Sequence, residues 1–425
     1  MSRELIDLAK KPDASLAGKL RAAFSTEKLE DGSAVIADHG DFLYALESAS
    51  APQLYIDDEP APPMKNLDGD LWYATARLLQ GWSHAHFYRV DGKMLGDKRF
   101  DTAAYMDESY EQPGVPKGQV SDMMVHESAV YHGWKVSWWI YASPGVKPDT
   151  PAPVMSWADG HRFIQRDMRA RLFPLTENLV HSKKIPPMVH VLISPTVVED
   201  PVNGPYTPNG HTDMRSLLYD TVNDDYNHMV FGEIFPKAET MYKLRSDGYS
   251  TGACGQSSGG ICAFNQAWQY PERVSRVISR IGTFTSIQWR WGQQAEDDSD
   301  RYGFQKPAQA LEGGEMFPFL VRRRDKKNIR VWLSDGAYDH ELPFGSWPLQ
   351  NIQLANSLKM QGYDFRFRFS NNQHNTEQGE AELPEAMTWL WRGYDPAKTE
   401  ETYEQDAVEK ERPLFRVGIV NRSAR

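Results

Sequence analysis

The sequence predicts a small antiparallel β-sandwich followed by a larger α/β domain, whose mostly parallel sheet is doubly wound with helices on both faces. Three observations predict this: the length of 425 residues, the short alternating apolar runs of the first part, and the alternation of strand-like and helix-like segments after it. The length exceeds the roughly 100 to 200 residues of a usual single domain. We therefore expect two domains, at residues 1–112 and 118–395, and a C-terminal extension at residues 396–425.

The first domain is predicted as a sandwich because its short runs alternate apolar and polar residues and are separated by turn signals. These runs are DFLYAL, PQLYIDD, DGDLWYATARL and HAHFYRVDG. Residues 111–120, EQPGVPKGQV, concentrate Pro and Gly without a periodic pattern, which is typical of a linker. So short a linker limits how far the domains separate. We expect them to touch, with four aromatic residues either at the contact or in the sandwich core: Trp72, Tyr73, Trp82 and Tyr88.

The second domain shows strand-like runs followed by longer helical stretches. The strand-like runs are KVSWWIYAS, APVMSW, PMVHVLIS, YSTGACG, IRVWLSD and FRFRFS. Amphipathic runs at residues 226–244, 261–270 and 349–361 lie between several of them. This alternation predicts a mostly parallel sheet with helices on both faces. The acidic segment after Tyr394 is expected to form a surface helix or a partly disordered extension.

The composition excludes several classes of partner. A net charge of −11 leaves no basic surplus for nucleic acid. No window approaches the roughly 20 continuous apolar residues of a membrane span, and the first residues lack the apolar core of a signal peptide. We expect a cytoplasmic protein with no membrane partner; an exported form from which a leader has been removed is the alternative. Nothing in the sequence predicts an oligomeric state.

The strongest functional signal is the segment GQSSGG at residues 255–260, directly after a predicted strand and before a predicted helix. It satisfies G-x-S-x-G in the strand, turn and helix context that this motif requires. The glycines leave room for a sharp turn that exposes the Ser257 hydroxyl. The N–H of Ser258 at the helix start can stabilise negative charge on a substrate oxygen. Ser257 is the predicted nucleophile, and Ser258 is the neighbouring alternative.

The two cysteines, Cys254 and Cys262, flank this segment and are too few for a disulfide framework. Free cysteine is among the most buried side chains. We expect both to be small buried residues behind the turn, and a cysteine nucleophile is the alternative.

A serine nucleophile needs a base, and in this arrangement a histidine in a loop after the last strand supplies it. His374 is so placed, in the loop NNQHNTEQG after FRFRFS. The acid that orients the histidine is expected after the preceding strand, where IRVWLSDGAYDHE supplies three carboxylates. Asp339, near the loop tip, is the first choice, Asp335 the second and Glu341 the third. The order Ser, acid, His is that of the α/β-hydrolase fold.

A second oxyanion donor is expected in the loop after an earlier strand, where Asp159, Gly160 and His161 follow APVMSW. The backbone N–H groups of Gly160 and His161 are the candidates. Asp-Gly is also a common turn dipeptide, so a plain turn is the alternative. The sequence has no HExxH helix, no zinc-type cysteine pairing and no G-x-G-x-x-G, so it signals neither a metal nor an organic cofactor.

A set of further motifs follows one order along residues 118–394: WADGHRF, KKIPPMVHVLIS, FGEIFPKAETMYKL, GQSSGG, AWQYPERVSRVISRIGTF and the late GAYD and His374 loops. In these motifs the chain resembles the enterochelin esterase and feruloyl esterase group of serine esterases, the putative esterases of the esterase D type. The resemblance implies the triad Ser257, Asp339 and His374, with the turn at Asp159 and Gly160 as the oxyanion loop. The N-terminal part resembles the early-set immunoglobulin-like sandwich found ahead of such domains.

Two features depart from the family pattern. Asn372 and Gln373 precede the histidine where two glycines are usual, so that the loop is expected to follow a different path. A stretch of small and aromatic residues ends in Trp289, Arg290 and Trp291. We expect these three to line a site for an aromatic acyl group or an acidic siderophore, with burial in the core as the alternative.

The sequence therefore predicts a serine esterase that forms an acyl-enzyme. Its expected substrate is a phenolic, feruloyl-type ester on plant polysaccharide or a catecholate siderophore ester. Two other functions fit the same residues. One is acyl transfer to an acceptor other than water, and the other is a catalytically inactive hydrolase whose sandwich binds a glycan.

Overall fold

The computed structural model describes residues 2–198, 212–287 and 313–412. The first part of the chain opens with three helices that the alternating patterns did not predict: α1 (Ser2–Lys10), α2 (Leu16–Ala23) and α3 (Thr26–Asp31). Apolar residues of these helices, among them Ile6 and Leu20, pack with Leu43 and Tyr73 of the neighbouring sheet. The helices therefore cover the outer face of that sheet.

Nine strands follow the helices: β1 (Val35–Asp38), β2 (Asp41–Glu47), β3 (Gln53–Ile56), β4 (Glu59–Pro60), β5 (Lys65–Asp68), β6 (Leu71–Arg77), β7 (Trp82–Val90), β8 (Lys93–Met94) and β9 (Phe100–Ala104). They form two sheets, in the orders β1-β2-β6-β5 and β4-β3-β7-β8, with β9 also paired to β7. All pairs are antiparallel.

The two sheets pack face to face, as the sandwich prediction requires. Phe42 and Tyr44 of β2 share a buried cluster with Leu54 of β3. The alternate residues Leu43 and Ala45 point to the helices on the other side. Because β2 is buried on both faces, its sequence is a continuous apolar run. The immunoglobulin-like class of this sandwich stays a prediction.

The second part contains eleven further strands in the described ranges: β10 (Gln119–Val120), β11 (Met124–Ser128), β12 (Trp134–Ala142), β13 (Val154–Ala158), β14 (Val189–Ile193), β15 (Thr251–Gln256), β16 (Arg276–Arg280), β17 (Arg330–Tyr338), β18 (Glu341–Leu342), β19 (Gly345–Ser346) and β20 (Asp364–Gln373). The main sheet has the order β10-β12-β14-β13-β15-β16-β17-β20, with β11 also on β12. Six neighbouring strands of this sheet are parallel: β14, β13, β15, β16, β17 and β20. β18 and β19 form a separate hairpin.

The described helices of this part are α4 (Leu172–His181), α5 (Thr212–Asp220), α6 (Asp225–Met229), α7 (Phe235–Ala238), α8 (Ser258–Gln269), α9 (Phe317–Arg323), α10 (Trp347–Met360), α11 (Glu377–Leu390) and α12 (Ala407–Glu411). A π-helical turn, Val230–Ile234, joins α6 to α7. Leu175 of α4 and Leu383 of α11 pack in one cluster with Trp157 of the sheet. Phe264 of α8 and Leu354 of α10 belong to another. Helices thus cover both faces, and the predicted fold class is confirmed.

The predicted strands of the second part and the helical runs at 261–270 and 349–361 are found with small shifts in their ends. The run predicted at 226–244 is instead an α-helix, a π-helical turn and a short α-helix that ends at Ala238. The last strand of the first part ends at Ala104 and the next strand begins at Gln119. The domain limits at 112, 118 and 395 stay predictions. Residues 413–425 of the predicted C-terminal extension lie outside the described residues. Across the three described ranges, no helix combines the length and apolar character that crossing a membrane requires.

The parallel strands place the predicted functional loops together. Carboxyl ends of parallel strands meet at one edge of a sheet, which is where open α/β sheets bind ligands. Gly160 follows β13, Ser257 follows β15, Asp339 follows β17 and His374 follows β20. The order of the sheet therefore brings four loops, distant in the sequence, to the same edge.

Candidate active site

Ser257 occupies a sharp turn between β15 and α8. Its backbone has φ 56° and ψ −124°, a conformation that residues with a side chain rarely adopt. A Cβ atom at Gly255 would lie 2.1 Å from the carbonyl oxygen of Gly259, and one at Gly260 would lie 2.9 Å from that of Arg280. The glycines are therefore required by close backbone approach. The turn has the strand, strained residue and helix arrangement of a nucleophile elbow.

Ser257, His374 and Asp339 form one chain of hydrogen bonds. The hydroxyl oxygen of Ser257 lies 2.8 Å from Nε2 of His374. Nδ1 of His374 lies 2.5 Å from Oδ1 of Asp339. Burial opposes ionisation of Asp339, but hydrogen bonds from His374 and Asp335 outweigh it and hold the pKa of Asp339 below its usual range. An ionised carboxylate in this position fixes the imidazole tautomer that accepts a proton at Nε2.

The other two candidate acids, Asp335 and Glu341, have different partners from Asp339. Asp335 is 1% exposed, and one carboxyl oxygen accepts a hydrogen bond from the N–H of Gly336 at 2.7 Å. Burial and the negative charge of Asp339 raise the pKa of Asp335 well above its usual range. Glu341 lies on the exposed β18–β19 hairpin and accepts a hydrogen bond from Ser346. Asp335 therefore lies behind Asp339 and ionises less readily, and Asp339 is the carboxylate that contacts the histidine.

Two aromatic side chains that the sequence analysis did not single out pack on His374. The ring of His340 stacks on it at a centroid distance of 4.2 Å, and the Trp347 ring meets it edge-on at 5.7 Å. The backbone N–H of His340 also donates a hydrogen bond to Oδ1 of Asp339 at 2.5 Å. Burial and the neighbouring His374 lower the pKa of His340. These contacts restrict the orientation of the imidazole and favour a neutral His340.

The predicted oxyanion loop lies beside the elbow. Asp159 has φ 56°, and its carboxylate receives two hydrogen bonds from Arg215, at 2.9 and 2.6 Å. Burial opposes its ionisation, but Arg215 outweighs burial and lowers the pKa of Asp159 to about 2. A Cβ at Gly160 would lie 2.2 Å from the backbone of Leu192. One at Gly259 would lie 3.5 Å from the Asp159 carboxylate. The loop is thus fixed against both β14 and α8.

His161 and Ser258 complete the predicted oxyanion residues. His161 is buried, and its Nδ1 lies 3.0 Å from the hydroxyl of Ser194. Burial lowers the pKa of His161 to about 4, so the imidazole is neutral at neutral pH. Ser258 is the first residue of α8, where backbone N–H groups have no partner within the helix. Its amide therefore stands next to the Ser257 hydroxyl.

A buried carboxyl group supports the first turn of α8. Asp220, at the end of α5, is 0% exposed and accepts a hydrogen bond from Ser216 at 2.7 Å. The Ser258 side chain lies nearby and opposes the effect of burial on the pKa of Asp220. Burial raises the pKa of Asp220 to about 6. This group joins α5 to the elbow, and no motif in the sequence pointed to it.

The two cysteines lie within the described residues, whereas the predicted aromatic site does not. Cys254 and Cys262 are both buried and unpaired, as predicted. Burial raises the pKa of Cys254 to about 11 and that of Cys262 well above its usual range, so both are protonated thiols at neutral pH. Trp289, Arg290 and Trp291 lie outside the described residues.

Comparison with known proteins identifies a family. The sequence model of a family described as putative esterase matches residues 130–388, more than half of the chain. An iron(III) enterobactin esterase of Dickeya dadantii strain 3937 is 24% identical over 264 residues, which are 61% of this chain and 52% of that protein. The chain thus spans about half the length of this curated relative.

Two solved structures share the fold. The enterobactin esterase of Shigella flexneri aligns with a TM-score of 0.53 at 16% identity, over 83% of this chain and 94% of that chain. The ferric enterobactin esterase of Salmonella typhimurium aligns with a TM-score of 0.53 at 16% identity, over 84% and 96%. At this identity the similarity shows the fold alone. It extends over both parts of the chain, because the covered share exceeds the family match.

The buried Asp220 predicts a pH dependence of stability. Its folded pKa of about 6 lies above the ordinary carboxyl value of 3.8, so its contribution to stability is fully present below about pH 4 and is lost as the pH rises through 6. Two pKa units correspond to about 3 kcal/mol at most. Asp220→Asn removes this titration, and its stability relative to the unsubstituted protein should rise between pH 4 and pH 7.

Denaturant unfolding at the two pH values measures the free energies that this comparison needs. Asp224→Asn, at a half-exposed carboxyl a few residues later, is the matched control. An equal shift in the control, or none in Asp220→Asn, would contradict the assignment to the burial of Asp220.

Proposed function

We propose that this chain, which belongs to the putative esterase family, is a carboxylic ester hydrolase that uses Ser257, His374 and Asp339. The observation that carries the proposal is the continuous hydrogen-bond chain from the Ser257 hydroxyl through the imidazole to a buried carboxylate. Serine is a weak nucleophile at neutral pH, and such a chain supplies the base that activates it. The strained turn directs the hydroxyl away from the sheet, toward the edge where a substrate can approach.

The reaction proceeds in two steps with the same residues. Ser257 attacks the carbonyl carbon of the ester while its proton passes to Nε2 of His374, and the proton then goes to the leaving alcohol as the ester C–O bond breaks. Water activated by His374 attacks the resulting acyl-enzyme and releases the acid. Asp339 stays ionised throughout and stabilises the imidazolium that forms in each step.

The negative charge on the carbonyl oxygen requires donors at the same edge. We assign this role to the backbone N–H of Ser258 together with those of Gly160 and His161. The N-terminus of α8 adds the positive end of a helix dipole. The Asp159 and Arg215 pair holds the second loop in place, so that its amides are oriented before a substrate arrives.

The proposed substrate is a catecholate ester of the siderophore type. A relative that is 24% identical over 264 residues of this chain is named for iron(III) enterobactin, which supports this chemistry. A phenolic, feruloyl-type ester is the alternative that the same site could accept. In both, the carbonyl that Ser257 attacks belongs to an acyl group that carries an aromatic ring.

The substrate proposal is tested with a panel of soluble esters: a cyclic tris-catecholate ester, a feruloyl ester and an acetyl ester. We expect kcat/KM for the catecholate ester to exceed the others by at least about tenfold, equivalent to about 1.4 kcal/mol of selective binding in the transition state. A feruloyl ester that is turned over faster would reverse the assignment and leave the esterase proposal intact.

Ser257→Ala should lower kcat by about 10⁴-fold or more, because the nucleophilic oxygen is lost and only binding and oxyanion stabilisation remain. The variant should also lose covalent labelling by a serine-directed phosphonate, which mass spectrometry detects. Ser258→Ala is the matched control and should lose less than about tenfold in kcat, because alanine retains the backbone N–H. Retention of more than a few per cent of turnover in Ser257→Ala would exclude Ser257 as the nucleophile.

Asp339→Asn should lower kcat by about four orders of magnitude, because an amide in place of the carboxylate favours the wrong imidazole tautomer. Asp335→Asn should have a much smaller effect, since Asp335 lies behind Asp339 and the histidine contacts Asp339. Steady-state kinetics of both variants on one ester decide between them. A larger loss in Asp335→Asn would make Asp335 the acid.

A further inference from the structure

The loop that carries His374 is held from the N-terminal part of the chain. Asp101, on β9, accepts a hydrogen bond at Oδ2 from the backbone N–H of Gln373 at 2.9 Å. The same oxygen accepts another from the side-chain amide of Asn375 at 2.5 Å. Gln373 and Asn375 directly precede and follow His374. One carboxylate oxygen therefore fixes the chain on both sides of the proposed base.

A second contact comes from Arg99, next to the start of β9. Its backbone carbonyl accepts a hydrogen bond from the side-chain amide of Gln373 at 3.0 Å. Its guanidinium group lies 3.9 Å from the ring centre of Tyr338, the residue before Asp339. It also forms an ion pair with Asp58 at 2.5 Å. The same segment thus contacts the loops of both the base and the acid.

Asp58 anchors the start of the histidine loop. Its Oδ2 accepts a hydrogen bond from the side-chain amide of Asn371 at 3.0 Å. The hydroxyl of Tyr338 donates to Oδ1 of Asp58 at 3.4 Å. Within residues 371–375, three residues donate hydrogen bonds to acceptors on the N-terminal part.

The dependence between Asp101 and the loop is mutual. Burial of the carboxyl group raises its pKa, and the hydrogen bonds from Gln373 and Asn375 oppose that rise. The loop in turn satisfies its donors through this carboxyl, and hydrogen bonds to a charged acceptor are the stronger kind. A substitution in the loop should therefore change the pKa of Asp101, and a substitution of Asp101 should change the position of the loop.

We infer that Asp101 is a positioning residue for His374, through which the N-terminal part of the chain sets the distance between the base and Ser257. This inference rests on the proposed function, since it assumes that His374 is the base. Asp101 itself does not touch the reacting atoms. Displacement of a reacting group by about 1 Å can cost about 100-fold in rate, so holding the two neighbours of the base has a direct consequence for turnover.

A merely structural role, in which Asp101 only joins two parts of the chain, predicts a different result. It would affect stability, and kinetics only through the amount of folded protein. Tyr105 provides the matched control, because its hydroxyl also crosses between the two parts. It donates to the backbone carbonyl of Arg169 at 2.8 Å and contacts Glu380 at 3.2 Å, both outside residues 371–375.

The experiment compares Asp101→Ala, Asp101→Asn and Tyr105→Phe in the full-length protein. Three quantities are measured: kcat and KM for a small soluble ester, the rate of phosphonate labelling at Ser257, and the thermal unfolding midpoint. We expect Asp101→Ala to lower kcat and the labelling rate by about 10- to 100-fold, with KM changed less than about threefold. Asp101→Asn keeps one carbonyl acceptor for Gln373 and should fall between Ala and the unsubstituted protein. It also provides the test if the Ala variant does not fold.

Tyr105→Phe should retain kcat within about threefold, whatever its effect on the unfolding midpoint. Folded Asp101 variants with unchanged kcat and labelling would overturn the inference. Equal losses in the Asp101 and Tyr105 variants would also overturn it, since they would show only general docking. Failure of the proposed function is separate: it would appear as turnover that survives Ser257→Ala in a chain with Asp101 intact.

Discussion

The proposed site depends on one backbone conformation, that of Ser257. A serine with φ 56° is strained by about 1 to 3 kcal/mol and persists only where its surroundings leave no alternative. Here its N–H donates to the carbonyl of Arg280 at 2.9 Å, and its carbonyl accepts from Thr283 at 3.1 Å. The elbow is therefore locked to the end of β16. The loops after β13, β17 and β20 therefore pack around a Ser257 hydroxyl whose position the elbow has already fixed.

The carboxyl groups around this turn differ in charge because their surroundings differ. Asp159 is ionised beside Arg215, and Asp339 is ionised beside the imidazole. Burial raises the pKa of Asp335 and that of Asp220, and at Asp220 the opposing effect of Arg215 is smaller than that of burial. Of these four carboxyl groups, two thus have lowered pKa values and two have raised ones. Among the described residues, Asp339 is the carboxylate that contacts His374, and its negative charge favours the protonated imidazole.

The residues that sequence could identify are those whose signal is local. The serine motif needs only its neighbours and its strand, turn and helix context, and the order of the three catalytic candidates follows from the sheet. The three N-terminal helices were missed although the spacing of Leu5, Ile6 and Ala9 is a helical signal. The contact of Arg215 with Asp159 joins positions 56 residues apart, and that of Asp101 with Gln373 joins positions 272 apart. Such pairs arise from tertiary packing and have no pattern along the chain.

The hydrogen bonds that cross from β9 to the loop of residues 371–375 limit how this architecture can be rearranged. Residues 130–388, the stretch the family shares, include every donor of that loop and none of its acceptors at Asp58, Arg99 and Asp101. The stretch that the family model matches therefore does not hold these acceptors for its own loop. A different domain fused ahead of residues 130–388 would have to present one carbonyl and two carboxylates at the same positions. Otherwise the donors of the loop would have to bind water. Exchange of the leading part of the chain is therefore constrained by these acceptor atoms, in addition to other contacts between the two parts such as that of Tyr105.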